Sequence, residues 1–180
     1  MSNGTQRRME NPPLARHPAL QPLSREHFGG LVLARDLLRA AEEDATSEQR
    51  RDVLRRLRAA WREELALHFA DEERLLGPLI RSGEQFRRLI AEHREIERLV
   101  HEAAPTRGAG DPDRALLAQV GQLLHDHIRW EERTLFPEVE RAMSAEAAAE
   151  IARRTAEVEA ERPGARRRCD LDRGPAGGRP

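Results

Sequence analysis

The 180-residue chain has no tyrosine, no lysine and one cysteine, and only 3% of it is aromatic. A lone Cys169 excludes an internal disulfide and a thiolate metal cluster, and its place in a polar tail argues against a catalytic role. No run approaches the ~20 apolar residues that a bilayer-spanning helix needs. The opening MSNGTQRRMENPP lacks the apolar stretch of a secretory signal. Strand-type runs of Val, Ile and Thr are missing, and the apolar residues are mostly Leu and Ala, so sheet is disfavoured. Charge of one sign is missing as well. Thirty-one basic against 32 acidic residues leave no net field to draw the chain onto nucleic acid or a membrane. These absences predict an all-α protein in the cytoplasm, with neither of those partners.

What is present is a succession of amphipathic helical patterns. Residues 1–20, with Pro12, Pro13 and Pro18, are expected to form a flexible arm. Ser24 is the expected N-cap of a first helix to about Glu43, with His27, Leu31, Ala34, Leu38 and Ala41 facing inward. Thr46-Ser47-Glu48-Gln49 resembles a capping box and opens a second helix that Gly77-Pro78 disturbs. A third, from about 84 to 103, would bury Phe86, Leu89, Ile90, His93, Ile96 and Val100. A Pro and Gly loop follows. Asp111-Pro112 then offers a cap and a first-turn proline for a fourth helix, which meets Pro137. Connections of a few residues make 21–143 an up-down-up-down four-helix bundle. Residues 144–162 form an extra C-terminal helix capped by Ser144 and packed loosely outside the core. Residues 163–180, rich in Pro, Gly and Arg, form a disordered tail.

Within these stripes, histidine and glutamate stand where core residues belong. His127 and Glu131 lie four residues apart, so they stack on one helix face, in line with Val120, Leu124 and Leu135. His68 and Glu72 do the same in the stripe of Leu54, Trp61, Leu65, Leu75 and Leu79. The spacing alone says little in a glutamate-rich chain, and His93/Glu97 shares it. Depth says more. His27 and His93 lie roughly three and nine residues into helices one and three. His68 and His127 precede Gly77 and Pro137 by similar distances, which at ~1.5 Å per residue puts all four in one layer.

Four imidazoles and two carboxylates buried without metal would cost ~1–3 kcal/mol each if poorly paired. The sum rivals the ~5–15 kcal/mol stability of a whole domain. A metal centre turns that cost into binding energy; a metal-free bundle with a hydrogen-bonded polar layer is the alternative. Imidazole and carboxylate without thiolate suit iron, manganese or zinc. Six ligands exceed what one tetrahedral ion takes and suit two ions bridged by two carboxylates. If each ion wants about six donors, a shared oxo or hydroxo group still leaves roughly one open place per metal.

The elements LSREHFGGL, HFADEERLL, AEHREIERL and HIRWEERTLFP resemble the hemerythrin-like, or HHE cation-binding, family over about residues 21–141. The resemblance implies a four-helix bundle around a non-haem di-iron centre. Carried over position by position, the ligands are His27, His68, Glu72, His93, His127 and Glu131, with both glutamates bridging two iron ions. Two departures set the chain apart from the oxygen carriers of that family. Glu97 stands where they have a further histidine, and the fourth helix has glutamate four residues after histidine instead of aspartate five after. The chain resembles instead the branch linked to iron-centre repair, nitric oxide or peroxide chemistry, and oxygen or iron sensing. Glu97, within ~40° of His93 at ~100° per residue, is a candidate seventh ligand or else a partly exposed helix residue.

Two functions follow as expectations. One is a di-iron protein that binds or reduces a small diatomic or peroxide ligand in stress response or detoxification. The other is an iron or oxygen sensor, or an iron donor, read out by a protein partner not identified by the sequence. His17, His101 and His125 are expected at the surface. Asp71, Glu73, Asp126 and Glu132 flank the ligands and are candidates to accept hydrogen bonds from imidazole N–H groups. Trp61 and Trp130 are expected to pack or to shield the site, and Arg166-Arg167-Arg168 to be solvated.

Overall fold

Side-chain caps decide where most of the helices begin. The structure, a computed structural model, describes residues 16–103 and 111–161, with side chains to residue 157. The expectations for residues 1–15, for the loop at 104–110 and for the tail from 162, Cys169 and the arginine run included, lie outside the described residues. Helix α1 is Gln21–Ala40. The rod α2 is built from Ser47–Ala60, a π-helical turn Trp61–Leu65 and Ala66–Leu75. Helix α3 is Gly83–Glu102. The rod α4 comprises Arg114–Trp130, a second π-helical turn Glu131–Leu135 and Phe136–Ala142. Helix α5 is Ala145–Glu161. No strand occurs among the described residues, and no described helix is long and apolar enough to cross a membrane.

The expected capping box is present: the Thr46 hydroxyl accepts from the Gln49 amide at 3.2 Å, and the Gln49 side chain returns a bond to the Thr46 amide at 2.7 Å, satisfying two orphan donors at once. Ser82 and Ser144 cap α3 and α5. Two expected caps are corrected. The carboxylate over α4 is Asp113, accepting from Ala115 at 2.8 Å, because Asp111 is drawn to Arg50. Helix α1 starts at Gln21 and not after Ser24, since Pro22 suits a first turn.

Pro137 does not end α4. An α-helical proline would collide with the carbonyl four residues back. The turn before it is widened to π geometry, with the Phe136 amide donating to the Glu131 carbonyl, and the rod continues to Ala142. Residues 16–20 are not a free arm either. Pro18–Leu20 forms a 3-10 turn that buries Ala19 and Leu20. Helix α5 packs more closely than its sparse stripe suggests, because Ile151 and Thr155 are buried.

The α1 and α4 rods pack closely at Gly121, where an added Cβ would lie 3.0 Å from the Ala34 carbonyl oxygen. That seam rotates α1 slightly from its expected face: Gly30, Leu33, Ala34 and Leu37 are buried, while Leu31 and Leu38 are half-covered. On α3, Phe86 is 38% exposed and lies over Gly77.

The apolar core comes in two parts. One holds Leu33, Leu37, Leu57, Ile96, Leu99 and Val120 among others; the second holds Leu20, Leu23, Leu76, Leu89, Leu135, Phe136, Val139 and Ile151. Along every rod of the bundle, one polar layer interrupts the change from the first part to the second.

Candidate metal centre

That layer contains His27 from α1, His68 and Glu72 from α2, His93 from α3, and His127 and Glu131 from α4, all buried. Each of the six sits on the inward stripe of its rod, so the helical repeat that buries leucine elsewhere buries these groups. Their ligand atoms fall into two sets: Glu72, His93, His127 and Glu131, and His27, His68 and Glu72.

Glu72 belongs to both sets, and the two oxygens of each carboxylate face different imidazoles. Glu72 Oε1 lies 3.2 Å from His68 Nε2 and 3.4 Å from His27 Nε2, while its Oε2 lies 3.4 Å from His93 Nε2. Glu131 Oε2 lies 3.3 Å from His27 Nε2, and its Oε1 lies 3.3 Å from His127 Nε2 and 3.9 Å from His93 Nε2. None of the four Nε2 atoms and none of the four carboxylate oxygens makes a hydrogen bond. Buried polar groups are rarely left so, and here eight point at one spot. Imidazole nitrogens and carboxylate oxygens gathered in this way make a donor set that fits bound metal.

The outward nitrogens explain why the inward ones serve as ligand atoms once the rings are neutral. His27 Nδ1 meets Glu132 at 2.6 Å, His68 Nδ1 meets Glu26 at 2.8 Å, His93 Nδ1 meets Glu73 at 3.0 Å and His127 Nδ1 meets Glu92 at 2.8 Å. An ionised carboxylate only accepts, so a neutral ring donates from Nδ1 and presents Nε2 as a ligand atom. The supports form a closed ring: α1 serves α2, α2 serves α3, α3 serves α4, and α4 serves α1. Every supporting glutamate is the sequence neighbour of a ligand, as in Glu26-His27, Glu72-Glu73, Glu92-His93 and Glu131-Glu132. Adjacent helical residues point ~100° apart, so one faces the centre and its neighbour faces the next rod.

Six carboxylates around four imidazoles make a field that favours cations. Without one, the layer balances itself with protons. Burial pushes the His68 imidazole down, but the Glu72 charge and the Glu26 carboxylate outweigh it and raise it to about 9. His93 is likewise opposed by burial and raised by Glu131 and Glu72 to about 10, and His27 is raised by Glu131, Glu132 and Glu72 against the same penalty. Burial opposes ionisation of Glu72 too, yet His68, His27 and His93 hold it well below the usual carboxylate range. Glu131 is lowered against burial and the Glu72 charge, chiefly by His127.

Aromatic rings wall the layer. Phe69 stacks on His93 at 4.0 Å, and Phe136 stacks on His27 at 5.2 Å. Trp130 lies 6.2 Å from His127 beneath Arg88, whereas Trp61 packs on Phe69 and His101, one shell further out. Beside His27 and His68 is a small cavity of about 10 Å³ between α1 and α2, bounded by Gly30, Glu64, Leu65 and Ile128. That is room for about one water-sized molecule. A larger groove lies elsewhere, among charged residues that include Asp36, Glu42, Asp52 and Arg56.

All six expected ligands converge, and Glu97 does not join them. Its side chain is 39% exposed and pairs with Arg94 at 3.3 Å; the inward places one and two turns beyond His93 go to Ile96 and Val100. Of the flanking acids, Glu73 and Glu132 support imidazoles as expected. Asp71 pairs with Arg74, and Asp126 with Gln122 and His125. Glu26 and Glu92 were not anticipated; the repeated doublets of a ligand beside a glutamate were the available signal. His17 caps the turn before α1, and His125 is exposed.

Set against known families, residues 21–139, more than half of the chain, match the model described as the hemerythrin HHE cation-binding domain. No curated protein and no solved structure matches the chain.

Proposed function

The chain belongs to the hemerythrin HHE cation-binding family, and from that premise we propose that its layer holds two iron ions and that the centre binds or reacts with O2, nitric oxide or peroxide, in stress response or detoxification. The observation that carries this reading is the set of eight orphaned donor atoms, with each carboxylate split between two imidazole pairs. When bound, two ferrous ions supply adjacent reducing equivalents and coordination places that the six side chains leave open.

The protein's own part is to hold and exclude. Glu26, Glu73, Glu92 and Glu132 fix the four rings. Phe69 and Phe136 keep bulk water from the His93 and His27 faces. The cavity of about 10 Å³ beside His27 and His68 has room for about one water-sized molecule.

The test is anaerobic loading with ferrous ion, followed by metal analysis and an absorption spectrum with and without oxygen, nitric oxide and peroxide. The expected result is about two irons per chain and a spectrum altered by at least one of the three. Near-zero iron, or a spectrum indifferent to all three, would overturn the proposal.

A sensor or iron-donor role is the second reading. It is favoured by the cost of the empty layer, since cation occupancy then changes the stability of the whole bundle. Hydrogen exchange of cation-free and loaded protein tests it. Equal protection in the two states would count against that role.

A further inference from the structure

The four carboxylates behind the imidazoles are not backed alike. Glu73 meets Arg94 at 3.3 Å and Glu92 meets Arg88 at 2.7 Å, through arginine side chains that are 63% and 44% exposed. Glu132 is backed instead by Arg16, whose side chain is 5% exposed. Arg16 comes from outside the four rods, on the segment that leads into the 3-10 turn before α1.

Its contacts are specific. Arg16 Nη2 donates to Glu132 Oε2 at 2.6 Å and to the Glu132 carbonyl at 2.7 Å. Arg16 Nη1 reaches Glu140 Oε1 at 3.3 Å, and the His17 amide donates to the same oxygen at 2.8 Å. The guanidinium carbon lies 5.1 Å from the centre of the Phe136 ring, and Phe136 stacks on His27. Two routes therefore run from Arg16 to one imidazole: through Glu132 to its Nδ1, and through Phe136 to its face.

We infer that Arg16 is a positioning residue of the metal centre, holding Glu132 against His27 and thereby setting cation affinity at the His27–His68 half. This rests on the metal reading above. A carboxylate largely withdrawn from water needs a counter-charge to stay there. The forked guanidinium supplies one and fixes the orientation of the carboxylate as well. Without Arg16, Glu132 keeps only Ser24 and His27 as partners, and the acceptor that aims the His27 Nε2 inward is held less firmly.

Stepwise cobalt(II) titration of the full chain against a competing chelator tests the inference, with thermal melts to verify folding. Wild type is expected to take up two equivalents. Arg16→Gln should weaken one of them about tenfold, the lower end of the effect of losing a ligand's support, and leave the other within about twofold. Arg16→Lys, which keeps the charge without the fork, should fall between. Glu132→Gln should weaken the same equivalent, and adding Arg16→Gln to it should cost little more. Glu140→Gln, which loosens the segment but spares the Glu132 contact, should leave both equivalents unchanged. An Arg16→Gln protein with both affinities intact, or both equally weakened, would overturn the inference, as would a Glu140→Gln protein that behaves like it. Wild type that takes up no cobalt would instead overturn the metal reading, and this inference with it.

Discussion

Loading the centre should expel protons, and their number follows from the layer's geometry. In the cation-free protein His68 is held up to about 9 and His93 to about 10 by Glu72, Glu131 and Glu26. Both rings are therefore protonated at neutral pH, and a protonated imidazole has no lone pair to give. Occupying both positions releases about two protons per chain, with His27, also raised, contributing toward a third. Between about pH 7 and 8.5, the apparent constant for binding the cation pair should rise by about two to three orders of magnitude per pH unit. Stability of the cation-free protein moves the other way. These folded pKa values exceed the ordinary imidazole value of ~6.5. The stability they contribute is fully present below about 6.5 and is lost as pH rises through about 9 and about 10. The assay is anaerobic addition of ferrous ion in weak buffer on a pH-stat, beside melts of chelator-treated protein from pH 6.5 to 9.5. Uptake of two equivalents without proton release would refute this reasoning.

Other expectations concern single residues. Glu72→Ala removes oxygens from both sets of ligand atoms, so both equivalents of metal should be lost in equilibrium dialysis, whereas a one-sided ligand would cost one. In the cation-free state the same change strands imidazolium groups without their buried partner, at about 3–5 kcal/mol in denaturant unfolding. Glu97→Gln should leave metal affinity unchanged by the same dialysis, because its carboxylate is turned to Arg94. Thr46→Ala should lower unfolding stability by about 1 kcal/mol through loss of the α2 capping box and leave metal content unaltered.

The six inward residues were legible because they interrupt leucine stripes at one depth, and because a helix turns stripe positions into neighbours in space. The capping box at Thr46 and the breaks at Gly77-Pro78 and Ser82-Gly83 were legible from local chemistry alone. The passage of α4 through Pro137 was not. Proline is a stop signal unless the preceding turn widens, and nothing in Glu131–Leu135 announces a π-helical turn. The face of α1 was misjudged by about one residue because Gly30 and Gly121, weak signals in a hydrophobic pattern, let α1 and α4 pack at their backbones. Glu97 illustrates the limit of helical angles. An offset of ~40° is enough to move a long side chain from the interior to an arginine at the surface. Nothing in the local sequence ties Arg16 down, because its partners, Glu132 and Glu140, lie more than a hundred residues away.

The central claim is that two cations share one layer, and crystals of anaerobically iron-loaded protein test it directly by anomalous scattering at the iron edge. The account predicts two peaks, one beside His27 and His68 and one beside His93 and His127, with Glu72 and Glu131 reaching both. A single peak, or iron bound anywhere else on the chain, would contradict it.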